Sequence, residues 1–207
     1  MSTTADNESG KAHRHLVRVA RPISNFLAET LRDVGPLILP DRTSNGLTYF
    51  LGRTVVGQGL STHAARTIWS RILSASERPA AVADCFTEDS APTLRGFGIS
   101  KNKVRALLSL GRARREGRLR DGYLRNLSHE QRSQDLVALW GVGQWTCDMA
   151  SMFYFGFPDV WPDNDVTVKK TFARMVDTTS PASTAQRFRP YRSYLALAMW
   201  RIADGTP

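Results

Sequence analysis

The 207-residue sequence lacks the features that mark several large classes of protein. It has no run of eighteen apolar residues, and its first fifteen residues contain no apolar core like that of a secretory signal. Two cysteines, Cys85 and Cys147, are too few for a disulfide framework or a thiolate metal site, and the four histidines have no ligand spacing. We therefore expect no metal, no membrane partner and a cytoplasmic protein, associated with the nucleoid if it is bacterial.

Lysine is also scarce, since only five of the 28 basic residues are lysines and the rest are arginines. With 19 acidic residues the formal net charge is +9, and the sequence pI is about 10.1. A pI above about 9 is typical of nucleic-acid-binding domains, although acidic membrane surfaces and acidic proteins attract the same charge. The planar guanidinium group suits bidentate contacts to phosphate, which favours nucleic acid.

No segment shows the sustained alternation of a strand or the rhythm of a parallel α/β sheet. Residues 1–21 are basic, polar and poor in apolar side chains, and we expect them to form a disordered tail. Residues 22–207 show helical spacing almost throughout, with Ser24 and Ser61 as expected N-caps. The sequence predicts an all-α protein of about eight to ten helices.

The stretch "LWGVGQWTCDM", residues 139–149, places two glycines one residue apart between two helical segments. Glycine permits a tight or left-handed turn, and Val142 between the glycines is expected to point into the core. The N–H groups that begin the next helix form a site for an anion such as a DNA phosphate. A plain helical hairpin with a glycine cap is the alternative, and the five turn residues alone do not decide between them.

Twenty-two residues after Gly143, Asp165 stands directly before a helix in the segment "DVWPDNDVTVKK". An N-cap is the ordinary role of aspartate at such a position, and loop solubility is an alternative explanation for Asp159, Asp163 and Asp165 together. A second basic feature, the segment 101–120, holds eight cationic residues and one acid, Glu116. We interpret it as a solvated helix face, a surface that follows phosphates, or a disordered basic loop.

Five segments, in this order along about three-quarters of the chain, resemble the helix-hairpin-helix–GPD superfamily of base-excision DNA glycosylases. They are "VVGQGLSTHAAR", "GFGISKNKVRAL", "LWGVGQWTCDM", "DVWPDNDVTVKK" and "YRSYLALAMW". The resemblance is greatest to the alkylpurine branch, the 3-methyladenine DNA glycosylases II. It implies a two-lobed helical domain over residues 22–207, with the N- and C-terminal helices in one lobe and a DNA cleft between the lobes.

The resemblance also implies roles for individual residues. Asp165 matches the catalytic aspartate, and Trp145 stands where bifunctional relatives have a Schiff-base lysine, which implies a monofunctional enzyme without β-lyase activity. Gly59 departs from the family where a larger side chain can wedge into the duplex. The remaining implied residues are Trp145, Met149 and Trp200 in the base pocket, Gly141, Gly143 and Thr146 at DNA phosphates, and Gln58 or Leu60 as the wedge.

The activity implied is the flipping of a damaged base, an alkylated purine, out of double-stranded DNA and hydrolysis of its N-glycosidic bond, as in base excision repair. No cofactor is expected, because the cysteines of the iron–sulfur members are missing. A monomer is also expected. The resemblance allows a monovalent cation bound by the hairpin backbone. Two alternatives stay open: a non-enzymatic helix-hairpin-helix DNA-binding protein, and a glycosylase for deaminated or oxidised bases.

Overall fold

The computed structural model describes residues 2–176 and 180–205, with side chains from residue 7 onward. No strand lies within these ranges, and the expected all-α fold is confirmed. The helices are α1 (Ser2–Ala20), α2 (Asn25–Val34), α3 (Leu47–Gly57), α4 (Thr62–Ser74), α5 (Ala91–Gly96), α6 (Lys101–Arg115), α7 (Asp121–Arg125), α8 (His129–Val137), α9 (Gln144–Phe153), α10 (Val166–Val176), α11 (Pro181–Ala185) and α12 (Arg192–Ala203). Three short 3-10 helices cover Pro79–Cys85, Glu88–Ser90 and Gln186–Phe188.

The twelve α-helices of the described ranges slightly exceed the expected eight to ten. The excess consists of α7 and α11, which have five residues each. A helix of that length completes fewer than two turns, so it shows no apolar periodicity to detect. None of the described helices combines the length and hydropathy needed to cross a lipid bilayer.

The chain divides into two compact units. The first unit consists of residues 1–41 and 151–207, and the second consists of residues 42–150. The first unit therefore contains α1, α2, α10, α11 and α12, whereas α3 to α8 belong to the second. The boundary between residues 150 and 151 falls within α9.

In the first unit, α1 corrects the expectation of a disordered tail over residues 1–21. This segment is helical from Ser2 to Ala20, and Ala12, Leu16 and Ala20 are buried. The three side chains follow one another at intervals of four, which places them on one helix face, and α1 packs against α2 and α12. One narrow row of apolar side chains is enough to bury one face of a helix, even where polar residues dominate the composition of the segment.

The loop before α10 is fastened to the beginning of α12. The Arg192 side chain donates to both carboxylate oxygens of Asp159, from Nε to Oδ1 at 2.7 Å and from a terminal nitrogen to Oδ2 at 3.0 Å. Ser193 donates through Oγ to the Phe157 carbonyl at 2.7 Å and accepts from the Val160 N–H at 2.9 Å. Asp159 is thus a structural partner of Arg192, and its interpretation as a residue of loop solubility is wrong.

In the second unit, two sets of hydrogen bonds hold the beginning of α8 in place. Ser128 and Gln131 form a reciprocal capping box. The fully buried Arg132 donates to the carbonyl of Leu124, in the last turn of α7, at 2.9 Å and to the carbonyl of Leu127, just after α7, at 2.7 Å. Burial, and secondly the charge of Arg125, lower the pKa of Arg132 to about 10. The first helix of the glycine hairpin therefore has a defined position on α7.

Candidate functional site

The two glycines lie in a turn that joins α8 to α9. Val142 between them is buried, as expected, and its N–H donates to the Leu139 carbonyl at 3.1 Å. The Cys147 N–H donates to the Gly143 carbonyl at 3.2 Å, which makes Gly143 the capping residue directly before α9. The turn is therefore a helical hairpin in which Val142 anchors the backbone and Gly143 stands at the helix start.

The two glycines are required for different reasons. Gly141 has φ 83°, and a Cβ there would lie 2.3 Å from Cβ of Ala106 on α6, so the fold itself excludes a side chain. Gly143 does not adopt a left-handed conformation, and a Cβ there would meet no protein atom within 4 Å. The protein interior does not need glycine at position 143. Its missing side chain leaves space outside the first turn of α9.

That space forms an open depression of about 600 Å³, lined by Gln58 and by residues 137–143. The first N–H groups of a helix have no partner within the helix, and they carry the positive end of its dipole. A depression beside such a helix start, with no side chain at Gly143, is suited to a phosphate group. The hairpin residues predicted from the sequence, Gly141 and Gly143, both lie at the surface here.

Thr146 does not share this exposure. It is fully buried, and its Oγ1 accepts a hydrogen bond from Nε2 of Gln58 at 3.0 Å. The Thr146 hydroxyl is therefore engaged within the protein, and the predicted place of Thr146 at a DNA phosphate stays a prediction. Its hydroxyl instead fastens Gln58, in the loop after α3, to the hairpin helix α9.

Lys103 on α6 holds the same loop from another direction. Its Nζ donates to the carbonyls of Val56 at 2.8 Å and Gln58 at 2.6 Å, which lie at the end of α3. Burial lowers the pKa of Lys103. Within the loop Gly59 is left-handed at φ 64°, and Leu60 is 39% exposed. Of the two wedge candidates, Gln58 is thus tied into the structure, and Leu60 is the exposed one.

Further along α9, Trp145 is half-buried and Met149 is buried. Between them, burial and secondly the charge of Asp148 raise the pKa of Cys147 to about 12, so this thiol stays protonated and is not a nucleophile. The buried Asp148 accepts from Gln144 at 2.8 Å and lies 3.2 Å from Nε2 of His129. These side chains hold the two hairpin helices together.

In the first unit, Asp165 stands at the start of α10. Its Oδ1 accepts from the Val168 N–H at 2.9 Å, which confirms the N-cap, and from Nε1 of Trp200 at 3.3 Å. Trp200 is half-buried on α12 and packs against Phe153 with ring centroids 5.9 Å apart. Two residues that the resemblance assigned to separate roles, acid and pocket wall, are hydrogen-bonded to each other.

Other charged residues near Asp165 are engaged elsewhere. The side chain of Lys169 has its Nζ 3.8 Å from Oδ1 of Asp163. No group of three or more histidine, cysteine, aspartate or glutamate side chains within the described ranges is arranged to hold a metal ion. No pattern in the sequence predicts the Trp200 hydrogen bond, the Lys103 contacts or the Arg192–Asp159 pair, because each joins residues far apart in the chain.

Comparison with known proteins places these features in context. No family model matches the chain. It is 24% identical over 208 residues to the "Alkylbase DNA glycosidase-like protein mag2" of Schizosaccharomyces pombe, and the match covers 95% of each protein. Other curated relatives are named DNA-3-methyladenine glycosylases, and the chain spans about half of their length or less, 39% to 54%.

Two solved structures have the same fold. The DNA-3-methyladenine glycosidase of Bacillus halodurans superimposes with a TM-score of 0.77 at 22% identity, covering 92% of this chain and 88% of that one. The 3-methyladenine DNA glycosylase Mag1 of Schizosaccharomyces pombe, solved with abasic DNA, gives a TM-score of 0.72 at 21% identity, covering 94% and 97%.

The fold is thus that of the helix-hairpin-helix DNA glycosylases, the class that the five sequence segments predicted. In sequence, the chain is similar to proteins named for alkylated bases, at 24% to 29% identity, as the resemblance to the alkylpurine branch predicted.

Proposed function

We propose that the protein is a monofunctional DNA glycosylase that removes an alkylated purine from double-stranded DNA and leaves an abasic site. The observation that carries the proposal is the carboxylate of Asp165, held at the start of α10 by the N–H groups of Val168 and Trp200. A DNA-binding protein without activity has no use for an acid fixed in this way beside an aromatic side chain. The names of the relatives support the same activity.

Cleavage of an N-glycosidic bond builds positive charge on the deoxyribose. A carboxylate near C1′ stabilises that charge and orients the water that attacks C1′. The base leaves with the electrons of the broken bond, and the attacking water transfers a proton to the Asp165 carboxylate as its oxygen bonds to C1′. The Trp200 N–H fixes the direction of the Asp165 carboxylate without protonating it.

Cationic alkylated purines are already good leaving groups, so recognition demands mainly stacking. Indole faces attract a cationic base through cation–π contacts, with little hydrogen-bond readout. We assign this task to Trp200, which is half-buried, so that part of its ring is available. The contributions expected of Trp145 and Met149 stay predictions.

Extrusion of the nucleotide from the duplex requires about a few kcal/mol. The start of α9, uncovered at Gly143, binds a phosphate and offsets part of that free energy. Leu60, exposed on a loop that Lys103 and Thr146 hold in place, fills the space in the base stack. Gln58 supports the loop instead of entering the duplex.

Trp145 supplies no amine for a Schiff base, and Lys169 is paired with Asp163, so we propose no β-lyase step. The absence of a cofactor, the cation at the hairpin and the monomeric state stay predictions. Action on DNA also implies a compartment where DNA is accessible, which is the cytoplasm and nucleoid in a bacterium.

The test is incubation with duplex oligonucleotides that carry alkylated, deaminated or oxidised bases, followed by alkali to cut at abasic sites. We expect strand scission after alkali only, and only for alkylated purines, with no covalent complex trapped by borohydride. Release of a deaminated or oxidised base alone would support that alternative substrate. Tight binding without release of any base would support the non-enzymatic alternative.

A further inference from the structure

The two ends of α6 carry similar basic residues in different surroundings. Near the C-terminus, Arg112 lies 3.6 Å from a carboxylate oxygen of Glu88, and Arg114 forms an ion pair with Asp84. Both acids belong to the 3-10 helices that precede α5 in the chain. At this end of α6, Arg112 and Arg114 are thus each paired with an acid of the protein itself.

Toward the N-terminus, Arg105 faces no such acid within the described ranges. Its guanidinium carbon lies 4.2 Å from the centroid of the Trp140 ring. Trp140 is 39% exposed, which is unusual for so large an apolar side chain, and it directly precedes Gly141 of the hairpin. A guanidinium stacked on an indole keeps its N–H edges available for a bidentate acceptor.

The backbone brings this pair to the glycine turn. Ala106, the neighbour of Arg105, approaches Gly141 so closely that no side chain fits between them. Residues 105 and 140 therefore lie on either side of the same contact between α6 and the hairpin. Trp140 also lines the depression beside Gly143, where the start of α9 is uncovered.

We propose that Arg105, oriented by Trp140, binds a second DNA phosphate next to the one at the hairpin turn. The occupant follows from charge complementarity, since an unneutralised guanidinium and a helix start adjoin one open depression. The inference rests on the DNA-binding part of the proposed function. It does not depend on which base is released.

The test compares Arg105→Gln with Arg112→Gln, a matched change of charge on the same helix. Binding to a fluorescently labelled undamaged duplex is measured by anisotropy at several salt concentrations. One lost phosphate contact lowers the slope of log affinity against log salt by about 0.9 and weakens binding roughly fivefold at physiological salt. We expect this for Arg105→Gln, whereas Arg112→Gln should match wild type. Equal effects of the two changes, or an unchanged slope in Arg105→Gln, would overturn the proposal.

A double-mutant cycle tests the role of Trp140. Trp140→Leu should weaken binding when Arg105 is present and have little further effect in Arg105→Gln, since its task is to orient the guanidinium. An equal loss in both backgrounds would mean that the tryptophan itself contacts DNA, and the orienting role would be wrong. Thermal unfolding of each variant identifies any loss that comes from misfolding, and Trp140→Phe, which keeps an aromatic face, should then restore binding.

The two proposals fail in different ways. A wild-type protein that binds duplex with steep salt dependence but releases no base contradicts the proposed function and leaves the Arg105 comparison intact. A protein that releases alkylpurines while Arg105→Gln binds like Arg112→Gln contradicts only the inference made here.

Discussion

Helices α9 and α10 begin in the same way but present opposite chemistry. In each, the residue before the helix accepts the first backbone hydrogen bond: Gly143 from the Cys147 N–H at 3.2 Å, and Asp165 from the Lys169 N–H at 3.0 Å. Asp165 then fills its own helix start, because its carboxylate accepts from the Val168 N–H. Gly143 has no side chain, so the start of α9 is open to an external anion.

We propose that the two helix starts serve different tasks. At α10 the helix start holds the Asp165 carboxylate in place for chemistry at a sugar. At α9 the uncovered helix start, the positive end of the helix dipole, binds a phosphate of the DNA. In this proposal a single residue, aspartate in one case and glycine in the other, decides between a catalytic and a binding role.

The largest effect is expected at α10, from Asp165→Asn. Asparagine caps a helix about as well as aspartate, so thermal stability should change little. The charge that stabilises the sugar cation is lost, and the rate of base release should fall by about 10²- to 10⁴-fold in single-turnover assays. Binding to the lesion should survive or tighten, because a negative charge near the phosphates is removed.

Asp163→Asn is the matched control for that prediction. Asp163 lies two residues earlier, and Lys169 approaches its side chain. The same chemical change there should leave base release near the wild-type rate. Full activity in Asp165→Asn, or equal losses in both variants, would remove Asp165 from the mechanism.

The next effect is expected when the start of α9 is made to resemble that of α10. Gly143→Asp introduces a good N-cap at a position where a Cβ meets no protein atom, so stability should be equal or higher. Its carboxylate occupies the phosphate position, and duplex affinity should fall by about 10- to 100-fold. Gly143→Ala, which adds no charge, should have a much smaller effect. Wild-type affinity in Gly143→Asp would show that phosphate does not bind at this turn.

The comparison also shows which parts of the molecule the sequence predicts. Local signals were sufficient for the N-caps Ser24 and Ser61, the buried Val142 and the cap at Asp165, because each depends on neighbours within a few residues. The resemblance of the five segments to a known family predicted the fold. These features need no knowledge of how distant segments pack.

Features that depend on packing were missed or misread. The hairpin motif predicted Thr146 at a DNA phosphate, but it did not predict that Gln58, 88 residues earlier, donates a hydrogen bond to the Thr146 hydroxyl. The few apolar residues of α1 did not predict a helix, because their packing partners are the distant segments α2 and α12. The basic segment 101–120 contains arginines with and without acidic partners, and only the structure distinguishes them.

A smaller effect is expected from the loop that both Lys103 and Thr146 hold. Leu60→Ala shortens the exposed side chain of the proposed wedge without touching the loop's hydrogen bonds. Base release from duplex substrate should slow roughly tenfold, since extrusion becomes harder by a fraction of its total free energy. Release from a single-stranded substrate, which needs no extrusion from a helix, is the control and should not change. Equal slowing on both substrates would contradict the wedge role.

The smallest effect is expected from Trp200→Phe, which separates the two contributions of this residue. Phenylalanine keeps a ring that can pack on Phe153 and stack on a base, but it removes the N–H that donates to Asp165. If that hydrogen bond positions the carboxylate, the rate of release at saturating protein should fall roughly fivefold, which corresponds to the about 1 kcal/mol typical of one intramolecular hydrogen bond. The concentration giving half-maximal rate should stay the same, because the stacking surface remains. Trp200→Ala should in addition raise that concentration. If Trp200→Phe raised the protein concentration that gives the half-maximal rate and left the maximal rate unchanged, Trp200 would act in base binding alone. The Asp165 carboxylate at α10 would then be held without help from α12.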